Sequence, residues 1–354
     1  MLLPGNLPMM PNDARPDTQR TTEILPPESQ TPYLLDVSHI TRIFDKPRDS
    51  LFSRKETITA LQDISFRVPR RSIVGLVGET GSGKTTLGRI VMRLIDPTSG
   101  SVLYNGQDLT ALRKEPLRQM RKHFQMVFQD PYSSLDPRMT VRNILKEPLS
   151  AHDMLPSPKE ETQSLGDLLT RVGLRPSDLD RLPKEFSGGG RQRIGIARAI
   201  ALKPELLVAD EPIASLDVSI GAQIINLFSS LNQEDLMTLF FISHDLSVIR
   251  YLTDYVVILY RGLKVESGPT TSVFSQPYHP YSRQLLSSLS GEPKGTANRD
   301  NTEKEQPLLL PLCPFYDQCP ERESICRTDP PPIRVEAAGP SDLWPRDMAC
   351  HKPL

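Results

Sequence analysis

Apolar positions recur along this chain with two different periods, and each change of period marks an element. Tyr33 to Ile40 and the alternation Ile64, Phe66, Val68 predict strands with one buried face. Apolar runs at Ile73 to Val77, Phe124 to Phe128 (broken only by Gln125), Leu206 to Ala209, Leu239 to Ile242 and Val256 to Leu259 predict strands covered on both faces. A shorter strand is expected at Ser101 to Tyr104. Between these runs the spacing lengthens to a helical one. A helix is expected from Lys84 through Ile95, and Leu165, Leu168, Leu169 and Val172 line one face of another within a polar stretch from Val141 to Leu174. Buried strands alternating with helices predict an α/β fold whose sheet carries helices on both faces, with the helical stretch as a subdomain.

The pattern fades at both flanks. Residues 1–32 are rich in Pro, Thr, Asn and Asp without periodicity, which predicts a disordered leader, and residues 290–308 turn to Gly, Pro, Asn and charge, which predicts a linker. The folded domain is therefore expected over residues 33–289, its helical subdomain over about residues 138–200, and an extension over residues 309–354. Lys46 to Lys55, basic and carrying Leu51 and Phe52, reads as a solvated connection between the first two strands, with a docking loop as the alternative. Charge then excludes partners: 42 basic and 43 acidic residues leave a net charge of −1, which suits neither a nucleic-acid coat nor a polybasic membrane anchor. No apolar stretch approaches the roughly 20 residues that a bilayer requires, so any work at a membrane is expected to be done from its cytosolic side, on other proteins' helices.

Chemistry enters at Gly78-Glu79-Thr80-Gly81-Ser82-Gly83-Lys84-Thr85-Thr86, between a predicted strand and a predicted helix. Glycines at 78, 81 and 83 take backbone angles closed to other residues, so that successive N–H groups converge on nucleotide phosphates. Lys84 would reach the terminal phosphates, the Thr85 hydroxyl would ligate Mg²⁺, and the helix would present its positive end to the anion. Leu206-Leu-Val-Ala-Asp210-Glu211 supplies two carboxylates at the C-terminal end of a buried strand, the edge where α/β sheets hold ligands. Asp210 is expected in the Mg²⁺ shell, and Glu211 as the group that orients or deprotonates the attacking water. Gln129 and His244 also follow apolar strands, although such residues alone are ordinarily capping or surface groups.

Phe186-Ser-Gly-Gly-Gly190-Arg-Gln-Arg is a further helix start, preceded by a hydroxyl and flexible backbone: an anion site with no lysine of its own. With it the sequence resembles the ATP-binding cassette (ABC) transport ATPases, whose signature loop is matched at Ser187, Gly188 and Gly189. The resemblance runs from Leu34 to Leu289. It implies the cassette form of the P-loop NTPase fold, with a mixed sheet core, an antiparallel strand subdomain, a helical subdomain and a small Cys-rich C-terminal extension. It also implies that two cassettes pair head to tail, the signature of one closing on the ATP held by the other. By the same resemblance Gln129 is a catalytic and Mg²⁺-ligating glutamine, and His244 is the catalytic switch histidine. Ser215-Leu216-Asp217 is then the loop facing the partner, and Phe44 the ring that stacks on adenine. Two residues depart from the family pattern: Gly190 replaces the signature's glutamine, and Ala214 takes the place of a serine.

All four cysteines, Cys313, Cys319, Cys326 and Cys350, fall in the extension without the CxxC knuckles typical of structural zinc. Four thiols in a Pro-rich stretch point to a soft-metal staple, zinc or an iron–sulfur cluster, with free packed thiols as the alternative. Pro277-Tyr-His-Pro-Tyr281, the CPFxxxCP run at Cys313 and Ala349-Cys350-His351 resemble the cassette subunits of bacterial oligopeptide, dipeptide and nickel importers. That resemblance implies a [4Fe–4S] cluster on the four cysteines. It further implies an ATPase using ATP and Mg²⁺, of the second (F-type) cassette, that energises import of peptides or similar small solutes. Its expected partners are a second cassette subunit in a heterodimer, two integral membrane permease subunits and, indirectly, an extracytoplasmic solute-binding protein, with no nucleic acid. The expected location is peripheral, on the cytoplasmic face of the bacterial inner membrane. The alternative is a soluble cassette ATPase of translation or DNA repair, types that carry two cassettes, long coiled coils or inserted zinc modules.

Overall fold

Every residue of Ile73–Val77 is buried, yet its side chains enter two different cores. Val74 and Leu76 pack on one face of the sheet with Leu206, Val208, Phe240, Ile242, Val257 and Leu259, whereas Ile73 and Val77 join Leu207, Ala209, Leu239, Phe241, Val256 and Ile258 on the other. This is the period-two alternation of a strand covered on both sides. Each fully buried aliphatic side chain contributes roughly 1.5–3 kcal/mol, so a one-residue slip that exchanged the faces is strongly disfavoured.

The computed structural model describes residues 32–45, 56–214, 216–287, 289, 313–336 and 344–352. The expected leader up to residue 31, the Lys46 to Lys55 connection, Ser215 and the expected linker lie outside the described residues. The first six strands are β1 (Tyr33–Asp45), β2 (Thr57–Pro69), β3 (Ile73–Val77), β4 (Ser99–Tyr104), β5 (Gln107–Asp108) and β6 (Phe124–Val127). After the helical region come β7 (Leu206–Asp210), β8 (Thr238–Ile242), β9 (Tyr255–Tyr260), β10 (Leu263–Pro269), β11 (Ile333–Glu336) and β12 (Arg346–Ala349). A four-stranded antiparallel sheet runs β2-β1-β4-β5, and an eight-stranded sheet runs β11-β12-β10-β9-β3-β8-β7-β6. In the larger sheet β9, β3, β8, β7 and β6 are mutually parallel, while β10, β12 and β11 add antiparallel.

Helices Val141–Ala151, Glu161–Arg171 and Gly188–Ile200 form the helical region, with Ile144, Leu145, Leu165, Leu169, Ile194 and Ile196 sharing one core with the lower face of the sheet. The helix after the phosphate loop stops at Val91 rather than continuing to Ile95, because Arg93 turns to φ 51° and sends its guanidinium into the interior, where Nε donates to the Leu109 carbonyl at 2.8 Å. The C-terminal segment does not stand apart from the sheet. Strand β12 pairs with β10 at Glu266↔Met348 and Ser267↔Asp347, and Cys313, Phe315 and Cys326 pack into the lower core. A buried ion pair fastens this edge: Glu266, fully buried, accepts from Arg346 Nη2 at 2.8 Å and from the backbone N–H groups of Tyr278 and His279 at 3.0 Å each.

Candidate active site

The phosphate loop leaves β3 through Gly78, which has φ 153°; a Cβ there would lie 2.2 Å from the Leu259 carbonyl oxygen, so only glycine fits. Gly83, at φ 100°, caps the helix Lys84–Val91, and a Cβ on it would meet the Ala60 carbonyl at 2.8 Å. Lys84 curls back over the loop, its Nζ donating to the carbonyls of Gly78 (2.7 Å) and Glu79 (2.9 Å). Burial lowers its pKa, opposed by the carboxylates of Glu211, Asp210 and Glu79. Ser82 is buried with an unpartnered hydroxyl, while Glu79, Thr80 and Gly81 face solvent and Thr86 is half-buried.

The two carboxylates occupy different environments. Asp210 is buried at the end of β7, where loss of solvation raises its pKa, and it accepts from the Thr85 hydroxyl at 3.2 Å. Glu211 follows at φ 45°, a left-handed conformation uncommon outside glycine, and its N–H donates to the Ile242 carbonyl of β8 at 2.9 Å. That turn sends its carboxylate toward two groups from other strand ends. Gln129 Nε2 donates to Oε2 at 2.9 Å, and His244 Nδ1 lies 3.4 Å from Oε1. Lys84, Thr85, Asp210, Glu211, Gln129 and His244, spread over 161 positions of sequence (84 to 244), thus meet along one edge of the parallel sheet. Gln129 sits on the carboxylate of Glu211, whereas Thr85 and Asp210 form the pair suited to a divalent cation.

The remaining predicted residues stand elsewhere. Phe44 pairs with Ile58 in the smaller sheet, two residues from the Ala60 that abuts Gly83, and the Arg42 guanidinium lies 4.4 Å from its ring centroid. Ser187 caps the helix Gly188–Ile200 by accepting from the Gly190 N–H at 3.2 Å. Among the described residues the signature packs against Phe186, Leu216 and Ile220 rather than the phosphate loop. A Cβ on Gly189 would fall 2.5 Å from Ile220 Cγ2, and one on Gly190 would fall 3.0 Å from Phe186 Cβ. Asp217, exposed, precedes the helix Val218–Glu234.

The four cysteines line one pocket together with His279, Phe315 and His351. Cys313, Cys326 and Cys350 are buried, and the Cys313 N–H donates to the Cys326 carbonyl at 3.1 Å. Burial pushes the Cys313 thiol up to about 11 and raises those of Cys319 and Cys350. Among the described residues no three His, Cys, Asp or Glu side chains are grouped to hold a single metal ion. One residue singled out only as part of a motif enters the site directly: Tyr281, buried, accepts the Glu79 N–H on its phenol oxygen at 3.2 Å. Its neighbours in that motif hint at importance, but nothing in the local pattern says that the ring returns to a loop 202 positions upstream.

Comparison with known proteins gives two family matches: residues 61–214 to the ABC transporter model, and residues 265–326 to the oligopeptide/dipeptide transporter, C-terminal region. The chain is 44% identical over 312 residues to the oligopeptide transport ATP-binding protein AppF of Bacillus subtilis, spanning 86% of this chain and 93% of that protein. It is 41% identical over 322 residues to the probable peptide ABC transporter ATP-binding protein y4tS of Sinorhizobium fredii, spanning 90% and 89% respectively. Among solved structures, the dimeric, post-hydrolysis state of the ATP-binding cassette MJ0796 bound to ADP and Pi is similar with a TM-score of 0.60 at 27% identity, covering 67% of this chain and 98% of that one.

Proposed function

The chain belongs to the ABC transporter family, among its peptide-transport ATP-binding proteins, and from that membership we propose that it is the ATP-hydrolysing subunit of an importer for peptides or similar small solutes. The observation that carries this reading is the meeting of Lys84, Thr85, Asp210, Glu211, Gln129 and His244 at one sheet edge. The relatives give no support to a role in translation or DNA repair.

Lys84 and the loop N–H groups bind the phosphates, and Thr85 with Asp210 fits an Mg²⁺ ion, which supplies charge neutralisation on the phosphate oxygens. Glu211 holds the attacking water in line with the terminal phosphate, and His244, on the other carboxylate oxygen, fixes its direction. Gln129 bonds Glu211 through its amide nitrogen, which leaves the amide oxygen to join the metal shell, as the family resemblance implies. Gly188 and Gly189 pack against Leu216 and Ile220 rather than this chain's own phosphate loop, which supports a second cassette as the target of the signature. The partners of the reading are a second cassette subunit in a heterodimer, two integral membrane permease subunits and an indirectly coupled solute-binding protein. No helix among the described residues is long and apolar enough to cross a membrane, which fits a peripheral subunit at the cytoplasmic face.

What supports a group held by the tail is that all four cysteines line one pocket. Cys313, Cys319, Cys326 and Cys350 would hold a [4Fe–4S] cluster there, which supplies a covalent staple and a one-electron centre. Anaerobically purified protein is then brown with acid-labile sulfide; colourless protein with stoichiometric zinc rejects the cluster. For the ATPase, Glu211→Gln is expected to bind ATP but to retain it and accumulate as a closed dimer. Hydrolysis by that variant at the wild-type rate, in a dimer whose partner carries the same change, refutes the assignment.

A further inference from the structure

Tyr281 is the point at which the C-terminal segment touches the phosphate loop. Its phenol oxygen takes the Glu79 N–H, and Glu79 is the residue whose carbonyl, with that of Gly78, holds the Lys84 ammonium. The ring is clamped between Tyr260, with centroids 4.5 Å apart, and Phe315, 5.6 Å away, and all three rings are at most 2% exposed. Phe315 also stands edge-on to Tyr260 at 5.3 Å. Closely packed aromatic rings resist interpenetration, so a shift of one displaces the next.

The other side of this layer is the thiol pocket. Phe315 lines it two residues after Cys313. His279 lines it too, while its Nδ1 accepts the Tyr281 backbone N–H at 3.0 Å and its ring lies 6.0 Å from Phe315. One aromatic layer therefore separates the four thiols from the turn that sets Lys84. We propose that Tyr281 is a positioning residue for the phosphate loop and that, through Phe315, it makes nucleotide affinity depend on what the thiol pocket holds. This rests on the ATPase reading and adds to it a regulatory input from the tail. Coupling between two sites is reciprocal in binding free energy, so nucleotide must also change how tightly the pocket holds its contents.

Tyr281→Phe keeps the ring and removes only the acceptor, and Cys313→Ser disturbs only the pocket. The test titrates the full-length protein with the fluorescent nucleotide trinitrophenyl-ATP, displaced by ATP, in wild type, both single variants and the double variant. Y281F is expected to weaken binding about three- to tenfold, the usual worth of one hydrogen bond at a site that leaves its donor unpaired. C313S should weaken binding in the wild-type background and add nothing in Y281F. Wild-type affinity in Y281F, or C313S and Y281F effects that multiply, overturns the inference while displaceable binding in wild type leaves the ATPase reading standing. Absence of displaceable dye binding in wild type overturns both.

Discussion

Replacing Glu266 by glutamine removes one charge from the best-buried ion pair among the described residues and leaves the side-chain volume almost unchanged. Glu266 is fully buried and Arg346 is 6% exposed, so the guanidinium left behind has no route to solvent. It would keep the Gln276 carbonyl and the face of the Tyr278 ring, 3.3 Å from its centre, both neutral partners. Removing one member of a buried pair costs about 3–5 kcal/mol, and because glutamine still offers one acceptor to the Tyr278 and His279 N–H groups, the low end, about 3 kcal/mol, applies. The assay is urea unfolding followed by the fluorescence of Trp344, the sole tryptophan, which stacks on Tyr255 at 4.9 Å two residues before Arg346. With an m-value of about 3 kcal/mol/M for a chain of this size, the fluorescence midpoint falls by about 1 M. Adding Arg346→Met should recover more than half of the loss, since the stranded charge is then gone. An unchanged midpoint in E266Q, or a double variant less stable than E266Q alone, refutes the argument that an unpaired charge is the source of the cost.

Two further outcomes follow from side chains nearby and across the sheet. His279 is held down to about 4 by burial, below its ordinary 6.5, so the unfolded chain takes up the proton first: stability is intact above pH 6.5 and is lost as pH falls toward 4, by about 3 kcal/mol in all. His279→Asn, whose side-chain oxygen can still take the Tyr281 N–H, should lack that part of the acid sensitivity; parallel stability–pH curves for the two proteins contradict it. Gly189→Ala places a methyl 2.5 Å from Ile220 Cγ2, an overpacking expected to cost about 1–3 kcal/mol by thermal unfolding and to be relieved by Ile220→Val.

What the pattern of residues reveals is set by how local its physics is. The unbroken runs at Ile73, Leu206 and Leu239 are fully buried strands within a residue of their expected ends, because burial on both faces confines polar residues such as Thr238 and Asp210 to the strand ends. The phosphate loop was equally legible, since its glycines answer to steric demands within one turn. Strands β10 and β12 were not. Strand β10 carries Lys264, Glu266 and Ser267, whose polar atoms are paid for by partners as distant as Asp347 and Arg346, and four-residue β12 has no period to read. Gln129 shows the same limit inside the site. Its place after β6 is readable, but its hydrogen bond to Glu211 depends on a left-handed turn at Glu211 that no residue preference announces.

The antiparallel edge also has a meaning for the growing polypeptide. Strand β10 is translated long before β12, which begins 77 positions downstream (269 to 346). At roughly 5–20 residues per second that interval is about 4–15 s, during which the ribosome-bound chain presents an open strand edge and a carboxylate with no counter-charge. The nascent cassette can assemble its parallel centre and its phosphate loop in that time, but it cannot seal the sheet. Completion of the edge is therefore a late event of biogenesis, and the same late segment delivers Met348 and Cys350 to their places, so closure of the sheet and assembly of the thiol pocket are a single step.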